Sequence, residues 1–465
     1  MHTILNTTDE LVGLDQAHVL HPFHHLGQDR QHPEPPLILI RGEGARVWDS
    51  RGRDYFDAVG GLWCTNIGLG RREMARVIAE QAEKLAFAST FGAMNNEPSI
   101  RLAARVAELA PGDLNQVHFT TGGSTATDTA FRMVAYAQSC MGFPEKRHVI
   151  SRSHSYHGGT YAAMSLGRRR GDQPAEFAYE SETIHHVSAP YQYRPPEGVA
   201  PEALTDHLVA EFEETIARIG PGKVGGFFAE PIQASGGILV PPPDYFPRMA
   251  EVCRRHGILF VADEVVTAWG RVGHWFASDG LYGVTPDIIC TAKGLSSAYQ
   301  PIGAVIFSDR IMAAMQSGER WFTSGFTYAG HPVACAAALK NIEILEDEGL
   351  LANAARVGAH LGRRLAELRQ LPLVGDTRGE GLMWCLEAVA DKASRRPLPD
   401  AAQVSIRISK ATEARGLLVR PLGPLVILSP ALILTLDEAD FIVDTLAEVI
   451  PLVADTLVHD GYEVS

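Results

Sequence analysis

The chain has 465 residues, 46% hydrophobic and 21% charged, enough for two or three domains that bury a core without disulfides or metal. Lys and Arg number 41 against 55 Asp and Glu, a net charge of −14. An acidic surface repels phosphate backbones and anionic lipid, which excludes nucleic acid and membrane as general partners.

In chain order, residues 1–36 are polar and rich in His and Pro, and read as an arm rather than a packed domain. The first residues lack the basic stretch and apolar core of a signal peptide. From Leu37 to Phe56, two apolar runs flank a Gly-Glu-Gly turn and Ser50-Arg51-Gly52 turns again, which predicts a small β-meander. After residue 70, helical periods (72–85, 97–109, 124–139) alternate with short apolar runs at 117–120, 148–151, 225–230, 258–265, 287–292 and 303–308. Strands without a polar face, separated by helices, predict an α/β fold whose sheet is covered on both sides. Catalytic groups in such folds gather at strand ends and the loops that follow. Helices dominate from His331 to Gln370; strand-like pieces (GLMWCLEAV, LVILSP) and a helix after Asp437 close the chain. The apolar stretch from Leu425 to Leu436 is too short for a membrane span and is broken by Ser429 and Pro430.

The six cysteines (Cys64, Cys140, Cys253, Cys290, Cys335, Cys385) stand singly with no CxxC pair, which fits reduced thiols in the cytoplasm. Arg168-Arg169-Arg170 is a short basic cluster that reads as a solvated loop. His21, His24 and His25 invite a metal reading, but no carboxylate or cysteine stands at ligand spacing, so no metal is expected.

Chemistry concentrates between Asp263 and Lys293. Lys293 ends an apolar run between Ala292 and Gly294, where solvation is poor and condensation with an aldehyde is favoured. An aldehyde cofactor such as pyridoxal 5'-phosphate (PLP) needs an acid partner on its ring nitrogen, and a buried Asp263 supplies one. Asp and Lys also end strands in α/β proteins without such chemistry. A second element, Phe119-Thr120-Thr121-Gly122-Gly123-Ser124, closes a strand and opens a helix. It suits phosphate through backbone N–H groups and the helix N-terminus, with Ser124 as expected N-cap; a plain Gly-rich turn with a capping serine reads the same. No GxxxxGK[ST] or post-strand GxGxxG is present, which disfavours nucleotides. The third element is Tyr156-His157-Gly158, an aromatic able to stack on a flat ring or merely to pack.

These pieces occur in one order with Glu230-Pro231, Asp263-Glu264-Val265, Lys293-Gly294 and Gly325-Phe326-Thr327. The chain resembles the class III aminotransferases of PLP fold type I, especially the omega-amino acid or amine:pyruvate transaminases. The resemblance runs from about residue 20 to the end and includes GLWC (61–64), SRSHSYHG (151–158), AEPIQASGG (229–237), VADEVVTAWGRVG (261–273), AKGLSSAYQPIGAV (292–305), GFTYAGHPVACAAAL (325–339), RGEGLM (378–383) and GLLVRPLG (416–423). It implies a large domain with a mostly parallel seven-stranded sheet and a smaller α/β domain from both chain ends. The expected division is 1–75 (arm and part of the small domain), 76–330 (PLP-binding domain) and 331–465 (C-terminal small domain).

By that resemblance, Lys293 carries PLP as an imine and then shuttles a proton, and Asp263 holds the ring nitrogen. Tyr156 and Val265 flank the ring, Gly123 and Ser124 bind the phosphate, and Glu230 stands near the outer edge. Phe326 and Thr327 belong to the cofactor set, Thr327 reaching the phosphate of a neighbouring subunit; this implies a homodimer, with pairing into tetramers left open. Phe23, Leu62, Trp63, Phe91 and Ser235 are expected around the substrate. Arg420 is expected to bind a keto acid's carboxylate and swing away for an uncharged substituent. The implied activity is ping-pong transfer from an omega-amino acid or primary amine to a keto acid, pyruvate giving alanine. An aminomutase or decarboxylase would use the same Lys–Asp pair. Departures from the family pattern at Thr125, Ser235 and Ala431 leave the substrate open.

Overall fold

The computed structural model describes residues 8–27, 35–169 and 171–464. The signal-peptide reading at the first residues and Arg170 lie outside them. Thr8–His18 forms a helix that buries none of its side chains, as expected of an arm. The meander is three antiparallel strands, β1 (Leu39–Glu43), β2 (Arg46–Asp49) and β3 (Asp54–Asp57).

The apolar runs become one sheet of seven strands: β4 (Gln116–Thr120), β5 (His148–Arg152), β6 (Ile184–Val187), β7 (Val224–Ala229), β8 (Leu259–Asp263), β9 (Ile288–Thr291) and β10 (Gly303–Phe307). Their spatial order is β4-β10-β9-β8-β7-β5-β6. Neighbours from β9 to β6 run parallel, and β10 is antiparallel to both β4 and β9. Every residue of β7, β8, β9 and β10 is buried, which explains why their sequences carry no polar alternation. Two apolar clusters cover the sheet's faces: one holds Phe227, Phe260 and Ile289, the other Phe228, Val261 and Cys290. Successive residues of one strand therefore feed opposite layers. β6 escaped the sequence reading because two of its four residues are histidines; it is an edge strand, paired only with β5.

The C-terminal strands β11 (Val374–Glu380), β12 (Met383–Ala388), β14 (Arg420–Leu422) and β15 (Leu425–Leu428) form an antiparallel sheet in the order β11-β12-β15-β14. The two-residue β13 (Leu417–Leu418) pairs in parallel with β3, which ties the C-terminal segment to the N-terminal meander. Helix Leu436–His459 opens with a capping box, Thr435 and Glu438 satisfying each other's backbone N–H groups. Among the described residues no helix is long and apolar enough to cross a membrane.

Candidate active site

Parallel pairing of β8 with β9 sets Asp263 opposite Cys290, so Lys293 emerges from the strand beside it. Lys293 takes a left-handed backbone (φ 43°), as do Ser297 (49°) and Ala298 (62°). Such geometry costs about 1–3 kcal/mol per residue and persists only where the surroundings impose it. Here Asn341 Nδ2 donates to the carbonyls of Gly294 (2.8 Å) and Leu295 (3.0 Å). A Cβ on Gly294 would meet Asn66 Nδ2 at 2.5 Å, so the turn lies tightly against its neighbours. Burial holds the Lys293 ammonium below the ordinary lysine range, and the nearby Asp263 only partly opposes this. The amine is thereby favoured in its neutral, nucleophilic form.

Asp263 is anchored on both oxygens. His157 Nδ1 lies 2.6 Å from Oδ2, and the Val265 N–H donates to Oδ1 at 3.1 Å. Behind it, His157 Nε2 is 3.2 Å from Ser151 Oγ. With Nδ1–H donating to the carboxylate, Nε2 is left to accept from Ser151. His157 had no assigned role in the sequence reading, although it adjoins Tyr156. Glu230, also buried, spends both oxygens on backbone: Oε1 accepts from Tyr156 N (3.1 Å) and Oε2 from Ala234 N (3.0 Å). Burial pushes its carboxyl above the usual range.

The Gly-Ser element is a helix N-terminus, Gly123–Cys140, but its N-cap is Gly122 and not Ser124. Thr125 performs the local bonding, donating to the Gly122 carbonyl at 2.9 Å. Ser124 is thus released to face the Tyr156 loop, where its Oγ accepts from Gly159 N at 3.0 Å. Gly158 crosses Ser124 so closely that a Cβ there would lie 2.6 Å from Oγ and 2.7 Å from Cα, and its φ is 136°. A Cβ on Gly123 would lie 2.8 Å from Val265 Cγ1. Two glycines therefore bring the helix start, the Tyr156 loop and the end of β8 together. A buried amine, an anchored carboxylate, a stackable phenol and donors at a helix N-terminus form a set that fits PLP.

On the substrate side, Trp63 is buried with its ring 5.9 Å from the Arg420 guanidinium, while Leu62 is exposed. Burial, then the like charge of Arg169, holds Arg420 below its ordinary range. Phe23 from the arm lies against Tyr156, ring centroids 6.3 Å apart. Ser235 is buried in the turn after Glu230, beside Gly236, where an added Cβ would collide with the His154 carbonyl. The basic cluster is not uniformly solvated. Arg168 is exposed, but Arg169 is 9% exposed, with its guanidinium 5.2 Å from the Tyr156 ring centroid and 5.5 Å from that of Phe23.

Phe91 and the 325–327 segment meet elsewhere. A Cβ on Gly325 would lie 3.1 Å from the Phe91 ring. Phe91 and Gly325 line a cavity of about 680 Å³ whose walls include neither Lys293 nor Arg420. Phe326 packs on the main core and Thr327 is exposed. Among the histidines of the arm, His21 Nε2 does meet a carboxylate, Asp15 Oδ2 at 2.8 Å, which spacing alone did not suggest.

A family model described as aminotransferase class-III matches residues 28–450. The diaminobutyrate–2-oxoglutarate transaminase of Halomonas elongata is 36% identical over 466 residues, covering 98% of this chain and 99% of that protein. The putrescine–pyruvate aminotransferase of Pseudomonas aeruginosa is 37% identical over 439 residues, covering 93% and 94%. Among solved structures, an (S)-enantioselective omega-transaminase from Thermomicrobium roseum superposes with a TM-score of 0.92 at 42% identity, covering 96% of this chain and 98% of its own.

Proposed function

The chain belongs to the class-III aminotransferases, enzymes of PLP fold type I that transfer amino groups, and on that premise we propose that Lys293 carries the cofactor and serves an omega-amino acid or primary amine as donor with pyruvate as acceptor. The cofactor of the family is PLP. When bound, PLP supplies an electron sink for the pair released at the donor's reacting C–H. The protein's part follows from its own groups. Lys293 Nζ, whose hold on its proton burial weakens, would take the proton from that carbon and return it during transfer. Asp263 would keep a proton on the ring nitrogen, and His157 with Val265 N–H fixes its carboxylate for that task. Gly123, Ser124 and the helix N-terminus would hold the phosphate, with Tyr156 and Val265 on either side of the ring. Glu230 orients the backbone of Tyr156.

Arg420 receives the carboxylate of the keto acid. It has no carboxylate partner among the described residues and rests over Trp63, so it can turn toward an anion without breaking an ion pair. The relatives named for putrescine with pyruvate and for diaminobutyrate with 2-oxoglutarate support small amines and keto acids as the two partners. Two half-reactions in one pocket give ping-pong kinetics.

We also infer a homodimer in which Thr327 and Phe326 complete the partner's cofactor site and Phe91 reaches the partner's substrate. The exposed apolar surface around them, with Trp321 at 87% exposure alongside Tyr328 and Met94, supports this. The division at 75 and 330 is kept as our reading, and six free thiols favour the cytoplasm.

The observation that carries the proposal is the buried amine of Lys293 emerging beside a doubly anchored Asp263. Purified protein with PLP, a panel of amines and pyruvate should release alanine. Absence of alanine with every amine contradicts the proposed reaction.

A further inference from the structure

Arg152, the last residue of β5, is 0% exposed, yet among the described residues it forms no ion pair with a carboxylate. Its Nη2 donates to the carbonyl of Glu230 at 2.5 Å, and Nε and Nη1 are enclosed without a partner. The guanidinium lies over the rings of Tyr245 (5.8 Å) and Phe246 (5.6 Å). A cation taken out of water without a paired anion is costly, and an apolar side chain could fill the same space without that cost. Its charge must therefore serve a group nearby.

That group is the carboxylate of Glu230, 4% exposed. Both of its oxygens accept, Oε1 from Tyr156 N and Oε2 from Ala234 N. A proton on either oxygen would set a donor against an N–H, so the bonding requires the ionised form. Ionisation is opposed there: burial pushes the carboxyl upward and Asp263 adds to this, while His157 and Arg152 act against it. From the surrounding elements Glu230 is faced by Arg152 on β5, His157 after β5, Asp263 on β8 and Lys293 after β9. His157 is committed to Asp263 at 2.6 Å, and burial weakens the hold of Lys293 on its proton. Arg152 is the cation left to Glu230.

We propose that Arg152 is a positioning residue whose fixed charge keeps Glu230 ionised, so that Glu230 clamps Tyr156 beside the cofactor ring and the Ala234-Ser235 turn beside the substrate. Arg152 has this role within the transaminase reading above, and it sets the acid limit of the site.

Arg152→Met removes the charge and keeps an apolar chain in its place. The affinity of apo-protein for PLP, titrated by absorbance, should equal that of the unaltered protein near about pH 9 and fall at least about tenfold below it near about pH 6, where Glu230 takes up a proton. The acid limb of kcat/KM for an amine with pyruvate should move up by about one pH unit. Arg152→Lys, which keeps the charge, should restore both profiles. In a Glu230→Gln background Arg152→Met should shift neither, because no carboxyl remains to titrate. A loss independent of pH, no loss, or a shift that persists in the Glu230→Gln background overturns the proposal. Should Arg152→Met not fold, Glu230→Gln alone decides. Its PLP affinity relative to the unaltered protein should stay constant over the same pH range, and a ratio that changes with pH overturns the proposal. PLP binding is read without turnover, so absence of alanine counts against the reaction, and an unshifted binding profile counts against Arg152.

Discussion

His157 Nδ1 approaches Asp263 Oδ2 to 2.6 Å inside a site where neither side chain is more than 4% exposed. Charge-assisted bonds of this kind contribute about 1.5–3 kcal/mol when water cannot compete. The carboxylate proposed to hold a ring nitrogen is therefore itself held by protein groups.

Replacing His157 by Phe removes that support while preserving an apolar volume. Turnover should fall by roughly 10- to 100-fold and PLP should dissociate more readily. Stopped-flow half-reactions and titration of apo-protein with PLP measure the two effects separately. Asp263→Asn, which removes the charge itself, should be more severe, on the order of 100- to 1,000-fold in kcat.

The crossing of Gly158 over Ser124 predicts opposite outcomes at adjacent glycines. Gly158→Ala drives a methyl into Ser124 at 2.6–2.7 Å and adds a side chain at φ 136°. It should weaken PLP retention at least about tenfold, since the loop must withdraw from the phosphate donors. Gly159→Ala meets nothing within 4 Å and should leave retention unchanged. Absorbance of the bound cofactor during dialysis distinguishes them.

Lys293 makes the apo-protein's stability depend on pH. Burial lowers its folded pKa, so between that value and the ordinary lysine value of about 10.4 the unfolded chain binds more protons than the folded one. This contribution to stability rises with pH across that window and is lost as pH falls through the folded value. Lys293→Met, which cannot charge, should raise the Tm of apo-protein near neutrality, with the gain shrinking toward pH 10. Thermal melts of both apo-proteins across pH provide the check; a constant difference would contradict the assignment.

Arg420→Ala should act on one half-reaction. The KM for pyruvate should rise roughly 10- to 100-fold, the worth of a charged fork, while the first half-reaction with an amine lacking a carboxylate changes little. Single-turnover kinetics of each half-reaction separate these effects.

Much of this site was legible before any coordinates. The strand-end positions of Asp263 and Lys293 follow from the apolar runs ILFVA and IIC that precede them, and the glycines at 123 and 158 mark close approaches. What stayed hidden depends on partners distant in sequence. Arg169 looked solvated because three consecutive arginines usually are; only Phe23 and Tyr156, folded over it, make it an enclosed group. His157 gained its role from the meeting of the β5–β6 connection with the end of β8. Ser124 suited an N-cap by type, yet the cap lies two residues earlier at Gly122 and Thr125 supplies the local bonds. Thr327 is exposed, so what it contacts is not decided within one chain.

The most direct test of the account is to reduce the yellow holoenzyme with borohydride, digest it and locate the modified lysine by mass spectrometry. The account predicts a phosphopyridoxyl group on the peptide containing Lys293 and on no other lysine. A label elsewhere, or none on a protein that had bound PLP, would contradict it.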